Sequence, residues 1–350
     1  MSSIFYKQKP IIGFEISKTS MKVMSIDTSK MLVHGYGSID LDPAKVTEDL
    51  IENVDYLQSH LYELLDKNIV GKLDSNRAVL GIPTARTFSR TFSLPADKKA
   101  NLEEAVNLEV EQYIPMPLES LYVDYQIIKQ TKEELTVLMC AAPQTMIDPL
   151  LTVSKNCGIE IAMIEPNMNA VARLLEHTEE GNLPTVIVDI GPATADIAIL
   201  DSAIRVTGGL NVGGNTLTLD IAKKMNIPLE TAHQLKVLNG LNAGPRQSKI
   251  TASLKPNLTK ITGEIKKVIR YYTDRFPNEP KLEQVLIVGS GSNIPGLGEF
   301  FTNELVMPAR IAVPWQTVNF GNLKPPAKQL RPRFMTSAGL ALIKPEDIWT

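Results

Sequence analysis

Two stretches of this chain, 174 positions apart as counted from Glu15 to Asp189, carry one pattern. Ile12-Gly13-Phe14-Glu15-Ile16-Ser17-Lys18-Thr19-Ser20-Met21-Lys22-Val23 lies over Val186-Ile187-Val188-Asp189-Ile190-Gly191-Pro192-Ala193-Thr194-Ala195-Asp196-Ile197. Each is an apolar, β-branched run that reaches an acid, turns through small residues and resumes as a second apolar run, so each reads as a β-hairpin. A short turn of small residues aims backbone N–H groups at phosphate oxygens, and an acid just before it can hold Mg²⁺ through water. Two such hairpins facing each other would clamp one nucleotide from both sides. Two unrelated hairpins would give the same strings without a shared ligand.

At 350 residues the chain exceeds one ordinary core, and its length points to about two domains. A net charge of −3 supplies no basic footprint, so nucleic acid and an anionic membrane surface are not expected partners. Cys140 and Cys157 lack a CxxC spacing and read as buried, reduced thiols of a cytosolic protein rather than a metal or redox pair. Met1–Pro10 has no apolar signal core, and no run approaches the roughly 20 apolar residues of a transmembrane helix. Too little chain follows Pro345 for an amphipathic anchor, so a membrane role is expected to run through a partner, from the cytoplasmic side.

Strand patterns fall at 11–16, 21–27, 31–39, 77–82, 86–93, 122–130, 135–142, 159–164, 185–190, 196–200, 203–208, 284–289 and 310–313. Helix patterns fall between them at about 43–68, 97–113, 143–157, 166–179, 214–225, 228–238, 256–276, 295–305 and 334–343. The interleaving predicts an α/β fold. Asp42-Pro43 is expected to open the first helix as cap and first-turn proline. Between 314 and 332, four prolines with polar spacers predict an irregular crossing back to the first domain.

With Val285-Leu286-Ile287-Val288-Gly289-Ser290-Gly291-Ser292-Asn293 and Gly208-Gly209…Gly213-Gly214-Asn215 added, the set resembles the phosphate and adenosine elements of the actin-fold ATPase superfamily. The stretch Leu94-Pro95…Glu103-Glu104-Ala105…Glu111-Gln112-Tyr113-Ile114-Pro115-Met116-Pro117…Asp124-Tyr125-Gln126 is more telling, and resembles the PilM proteins of type IV pilus assembly, relatives of FtsA. The resemblance runs along essentially the whole chain. It implies a two-lobed actin-like (ribonuclease H-like) fold with a small α/β subdomain inserted in the first lobe. On that reading 1–83, 163–184 and 333–350 form the first lobe, 84–162 the insertion, and 185–332 the second lobe with a helical subdomain at about 211–284. The residues support an insertion independently, because 84–162 reads strand, helix, two strands, helix, strand before the hairpin pattern resumes. Helix 97–113 carries Leu102, Ala105, Val106 and Val110 on one stripe, which core packing also explains.

The resemblance further implies ATP and Mg²⁺ as cofactors and a PilN-like inner-membrane protein as partner. That protein's N-terminal peptide would dock in a groove between insertion and first lobe, touching Gln112, Tyr113, Ile114, Pro115 and Tyr125. Pilus motor ATPases and self-association are further expected contacts. An FtsA-like filament and a small-molecule kinase of the same superfamily remain as alternatives.

Asp189 is the leading candidate for a Mg²⁺-associated carboxylate; Asp196 is its weaker partner or a group that satisfies backbone donors. Thr194 reads equally as a phosphate donor or a turn former, and Gly191 and Ala193 shape the turn. In the first hairpin, Glu15 and Ser17 stand where the family usually has Asp and Gly. Glu15 is the other candidate metal carboxylate, and Ser17 would be strained if its position needed positive φ. Ser17, Lys18, Thr19 and Ser20 form the turn, with Lys18 read as a second phosphate contact or a solvated lysine. Lys22 matches the family's phosphate-reaching position. Glu165, with Asp189, is a candidate for a weak ATPase through positioning of water, or else a helix cap. Gly213-Gly214-Asn215 opens a helix whose amides can approach phosphate or ribose. His233 and Lys236 fall where the family reads Glu and Lys on the nucleoside, and Gly289, Gly291, Ser292 and Asn293 line the adenine side. Because the departures cluster in the first hairpin, hydrolysis is expected to be slow or absent.

Overall fold

The computed structural model describes residues 10–46, 54–181, 183–242, 244 and 247–344. Along the chain come β1 (Ile12–Ile16), β2 (Ser20–Asp27), β3 (Leu32–Asp40), α1 (Val54–Lys67), β4 (Ile69–Gly71) and β5 (Arg77–Ile82). Next are β6 (Phe88–Pro95), α2 (Leu102–Tyr113), β7 (Leu121–Gln130), β8 (Glu134–Pro143), α3 (Gln144–Asn156), β9 (Glu160–Pro166) and α4 (Asn167–Thr178). Then follow β10 (Thr185–Ile190), β11 (Ala195–Leu200), β12 (Ile204–Leu210), α5 (Gly214–Met225), α6 (Leu229–Leu238) and α7 (Gln247–Arg275). The chain closes with β13 (Gln284–Val288), α8 (Leu297–Leu305), β14 (Ala309–Ile311) and α9 (Met335–Ala341).

The described residues form two units, one drawn from 10–83, 145–178 and 314–344, the other from 84–144 and 179–313. The first unit is built on a six-stranded sheet of order β4-β3-β2-β1-β5-β9. β1 pairs antiparallel with β2 and parallel with β5, so the opening hairpin is locked into the sheet centre. α4 and α9 cover one face, with Ala170, Val79 and Leu340 in a common core.

In the second unit a five-stranded sheet runs β12-β11-β10-β13-β14. Here β10 pairs antiparallel with β11 and parallel with β13, repeating the connectivity of β1. The repeat extends to its irregularities: the register shift of β2 on β3 falls between Ser25 and Ile26, and that of β11 on β12 between Ile199 and Leu200, again 174 positions on. α5, α7 and α8 bury Leu217, Ile221, Leu258, Ile261, Ile265 and Phe301 against the sheet. A separate three-stranded sheet, β6-β8-β7, carries α2, whose Leu102, Val106 and Val110 pack on Val137 and Met139.

Several elements differ from the sequence expectation for local reasons. Pro43 starts a turn rather than a helix, because the Asp42 carboxylate accepts from the Ala44 N–H and the Asp42 carbonyl from Lys45. The described part of the first helix begins at Val54, and 47–53 lie outside the described residues. α7 begins nine residues before 256 and runs through Pro256. Proline has no N–H for the carbonyl four residues back, and Lys224 Nζ takes over that Ala252 carbonyl at 3.2 Å. The three-stranded sheet ends at Pro143 and its segment 84–144 falls in the second unit, whereas α3 and β9 fall in the first, where β9 pairs with β5. The segment 314–344 also belongs to the first unit. Cys140 and Cys157 are free but half-buried rather than buried, and burial pushes the Cys157 thiol up. No helix among the described residues is long and apolar enough to cross a membrane.

Candidate functional site

The two hairpin turns close in the same way. The Ser17 N–H donates to the Ser20 carbonyl at 3.0 Å, and the Gly191 N–H donates to the Thr194 carbonyl at 2.9 Å. Neither Ser17 nor Gly191 has positive φ, so the strain expected at Ser17 is absent: the turn does not need glycine there. Ser17 instead adds a bond, its hydroxyl donating to the Ser20 carbonyl at 3.0 Å. Lys18 and Thr19 make the half-buried tip, and the Thr19 carbonyl accepts from the Leu41 N–H.

One register step behind each turn the chemistry diverges. Glu15 stands opposite Lys22, and Asp189 stands opposite Asp196. Lys22 Nζ donates to Glu15 Oε1 at 2.6 Å, with both side chains buried. Lys22 is therefore taken by its own strand neighbour rather than extended toward a phosphate. Glu15 Oε2 is buried with no hydrogen-bond partner, an orphaned oxygen suited to a water or hydrated cation. In the second hairpin two carboxylates face across the pair with no lysine between them in register. Burial pushes Asp196 up to about 6, against the lowering effect of the Thr194 hydroxyl, which donates to Asp196 Oδ2 at 3.2 Å. Thr194 is thus engaged within the turn, and Asp196 is more than a filler of backbone donors. Two facing acids are a donor set of the kind a hard divalent cation takes. Among the described residues no cluster of three or more His, Cys, Asp or Glu side chains surrounds a metal-sized point.

The second turn rests on backbone. Gly213 lies so close to Pro192 and Ala193 that a Cβ on it would come within 2.6 Å of Pro192. The first amides of α5 are used here: the Gly214 N–H donates to the Gly191 carbonyl and the Asn215 N–H to the Pro192 carbonyl, both at 2.9 Å. These two donors hold the turn instead of pointing at a ligand, which corrects their expected role. Lys236 is buried behind them, with Nζ donating to the Gly214 carbonyl at 2.7 Å, and burial pulls its ammonium down to about 8. His233, on the exposed side of α6, has its imidazole lowered by partial burial and by Lys236. Gly289 ends β13 at φ +86°, and a Cβ there would fall 2.1 Å from Asp189 Oδ1. A Cβ on Gly291 would fall 2.7 Å from the Gly191 carbonyl oxygen. Ser292 turns inward, its hydroxyl donating to the Gly289 carbonyl at 2.6 Å, and Asn293 Nδ2 reaches the Ser290 carbonyl at 3.5 Å. The second unit therefore gathers Asp189, Gly191, Ala193, Thr194, Asp196, Gly213, Gly214, Lys236, Gly289 and Gly291 into one place.

Glu165 is not free to orient water. Its two oxygens accept from Arg173 Nη1 and Nη2, each at 2.7 Å, and Nη1 also donates to the Gly339 carbonyl, which ties β9, α4 and α9 together. Arg173 was not singled out in the sequence; its signal was a lone arginine between the buried Val171 and Leu174 of α4. The partner candidates also separate. Ile114 is in the core under α2, and Gln112 and Pro115 are exposed. Tyr113, half exposed, lies under the Arg90 guanidinium at 4.3 Å, whereas Tyr125 borders a different depression beside Glu104 and Leu108.

A hairpin-plus-parallel-strand unit occurring twice, each with an acid before a tight turn, defines the actin-like ATPase fold. Solved structures sharing it include MreB5 of Spiroplasma citri bound to ADP, at 15% identity and TM-score 0.53 over 89% of this chain and 94% of that one. EutJ of Carboxydothermus hydrogenoformans matches at 17% identity and TM-score 0.57 over 95% and 89%. A PilM–PilN type IV pilus biogenesis complex matches at 22% identity and TM-score 0.80 over 96% and 98%. The FtsA of Neisseria meningitidis is 25% identical over 317 residues, 81% of this chain and 70% of the relative. The FtsA of Borreliella burgdorferi is 26% identical over 190 residues, 48% and 45%. The family model for the type IV pilus assembly protein PilM matches residues 13–344, and the chain belongs to that family.

Proposed function

We propose that this chain is a nucleotide-binding adaptor of a type IV pilus inner-membrane assembly platform, retaining ATP with Mg²⁺ and hydrolysing it slowly or not at all. The observation that carries the reading is the unequal pair of hairpins. Asp189 faces a second acid, Asp196, across the strand pair behind a backbone-lined turn, whereas Glu15 faces Lys22 and Glu165 is held by Arg173. Asp189 and Asp196 are the groups of the second unit that would hold a hydrated Mg²⁺, which when bound neutralises phosphate charge. Glu165, the candidate for positioning an attacking water, is held by Arg173 instead, and positioning is what phosphoryl transfer depends on.

On this reading the inserted sheet with α2 presents the surface for the N-terminal peptide of a PilN-like membrane protein, and that partner brings the chain to the inner face of the membrane. The PilM–PilN complex among the structural matches supports this partner class. Isothermal titration with Mg-ATP, paired with a turnover assay, tests the nucleotide half: binding with negligible phosphate release is expected, and turnover at ordinary metabolic-enzyme rates overturns it. Pull-down with synthetic N-terminal peptides of membrane proteins encoded beside this gene tests the adaptor half, and no enrichment with or without ATP removes it.

A further inference from the structure

Charge is not spread evenly over this chain. α5 and α7 together carry nine Lys and Arg against three Asp and Glu, which leaves the rest of the chain with 27 against 36. The net charge of −3 therefore combines two basic helices with an acidic remainder, and the expectation drawn from net charge alone assumed an even distribution.

α7 buries one side against the sheet of the second unit through Leu254, Leu258, Ile261 and Ile265, which fixes its other side outward. Lys249, Lys255, Lys260, Lys266, Lys267 and Arg270 are all exposed. At 3.6 residues per turn they fall within an arc of roughly 140° and over a length of about 32 Å. Lys223 and Lys224 at the end of α5, also exposed, widen this face by lining a depression with Lys260. Of the three acids on the two helices, Asp220 accepts from Asn257 Nδ2 at 2.6 Å and Glu264 from Lys267 at 2.7 Å. With Asp274 as the third, eight cations on this face stand against three acids. The neighbouring α6 adds Glu230 and the buried Lys236, which leaves the surplus unchanged. Like charges one turn apart, such as Lys266 and Arg270, repel each other in the free protein.

The surroundings of these cations select the kind of partner. Between them α7 exposes Ala252, Pro256, Thr259, Gly263 and Thr273. The large apolar side chains exposed on the two helices are Leu219 on α5 and Tyr271 on α7. A protein partner needs a desolvated apolar or aromatic centre and favours Arg over Lys. A lysine-rich face set among small and hydroxyl residues fits instead a fluid layer of anionic groups, where each ammonium gains as a point charge without a fixed geometry. We propose that the outer face of α7, with the end of α5, is a membrane-contact surface that lies on anionic lipid headgroups. The contact is peripheral, because the apolar side of α7 is buried in the core. It adds to attachment through a partner protein and rests on neither nucleotide nor peptide binding. The same lipid surface repels the acidic remainder, so the chain approaches in one orientation.

The test is co-sedimentation of the full chain, without any partner protein, with vesicles of phosphatidylcholine alone and of phosphatidylcholine mixed equally with phosphatidylglycerol. The chain is expected to pellet with the mixed vesicles only, and to be released as salt is raised. Lys255→Gln/Lys260→Gln/Lys266→Gln is expected to weaken the partition about tenfold or more, and Lys255→Arg/Lys260→Arg/Lys266→Arg to retain it. Lys67→Gln/Lys72→Gln/Lys155→Gln, at exposed lysines of the first unit, removes the same charge. That control is expected to change the partition by less than about threefold, with thermal melts checking that each variant folds. Four outcomes overturn the proposal: no partition to the mixed vesicles, equal partition to both vesicles, an equal loss in the two glutamine triples, or tighter binding to duplex DNA than to the mixed vesicles at matched phosphate concentration. Failure of Mg-ATP or peptide binding in their own assays leaves these readouts untouched.

Discussion

The hairpin at 12–23 and the hairpin at 186–197 share turn closure, sheet position and the place of their register shifts, yet they differ in one cross-strand pair. The first faces Glu15 with Lys22 and is electrically complete. The second faces Asp189 with Asp196, two acids, and burial pushes Asp196 up to about 6. The same backbone thus carries two different cross-strand pairs: one is an acid–lysine ion pair with a single spare oxygen, and the other is two acids. Breaking the symmetry at this pair costs nothing in strand geometry, because both side chains sit on the same face at the same register.

The largest expected effect comes from making the first hairpin incomplete. Lys22→Met leaves Glu15 buried and alone, so a loss of about 3–5 kcal/mol is expected by denaturant unfolding. The double variant Glu15→Leu/Lys22→Met should recover most of it; a double variant as unstable as the single would mean the pair is not the cause. Next, Gly289→Ala forces a side chain at φ +86° onto Asp189 Oδ1. It should cost about 2–4 kcal/mol and reduce Mg-ATP affinity together, a coupled loss that calorimetry and melting can read on one sample.

Asp196→Asn sharpens the comparison from the other side. Its folded pKa lies above its ordinary value of 3.8, so between about pH 4 and 6 the folded state binds more protons than the unfolded. Stability from this group is present at low pH and lost as pH rises through about 6. The variant should therefore be more stable than the parent at pH 7, by about 1–2 kcal/mol, and the gap should close toward pH 4. Melts across that range check the sign, and the variant should also lose the Mg²⁺ dependence of nucleotide binding. The smallest effect is expected from Ser17→Gly, which restores the residue usual for the family. Having no positive φ to relieve, it should cost about 0.5–1 kcal/mol through added chain freedom and leave ATP turnover unchanged. A rise in turnover would show that the serine, not the Glu15–Lys22 pair, restrains the chemistry.

Hairpins, helix order and the glycine turns were legible because they depend on local residue type: β-branched runs, a tight turn and small residues at fixed spacing. Three candidates changed meaning for one reason. Lys22, Glu165 and the amides of Gly214 and Asn215 carry the right chemical groups, but a group's role depends on what stands within 3 Å of it. Lys22 meets Glu15 only once the register is set, and Arg173 closes on Glu165 only after α4 has packed beside β9. The carbonyls of Gly191 and Pro192 reach α5 across a chain separation of about 23 residues. The end of the insertion was hidden for a similar reason: β9 reads as a strand either way, and only pairing with β5 says to which sheet it belongs.

By itself the sequence determined the repeated unit and the placement of an acid before each turn, since both are written in periodicity and side-chain chemistry. Tertiary structure decided which acids are neutralised. Charge compensation is a matter of distances in the folded chain: Lys22 reaches Glu15 only once the strand register is set, and Arg173 reaches Glu165 only once α4 packs beside β9.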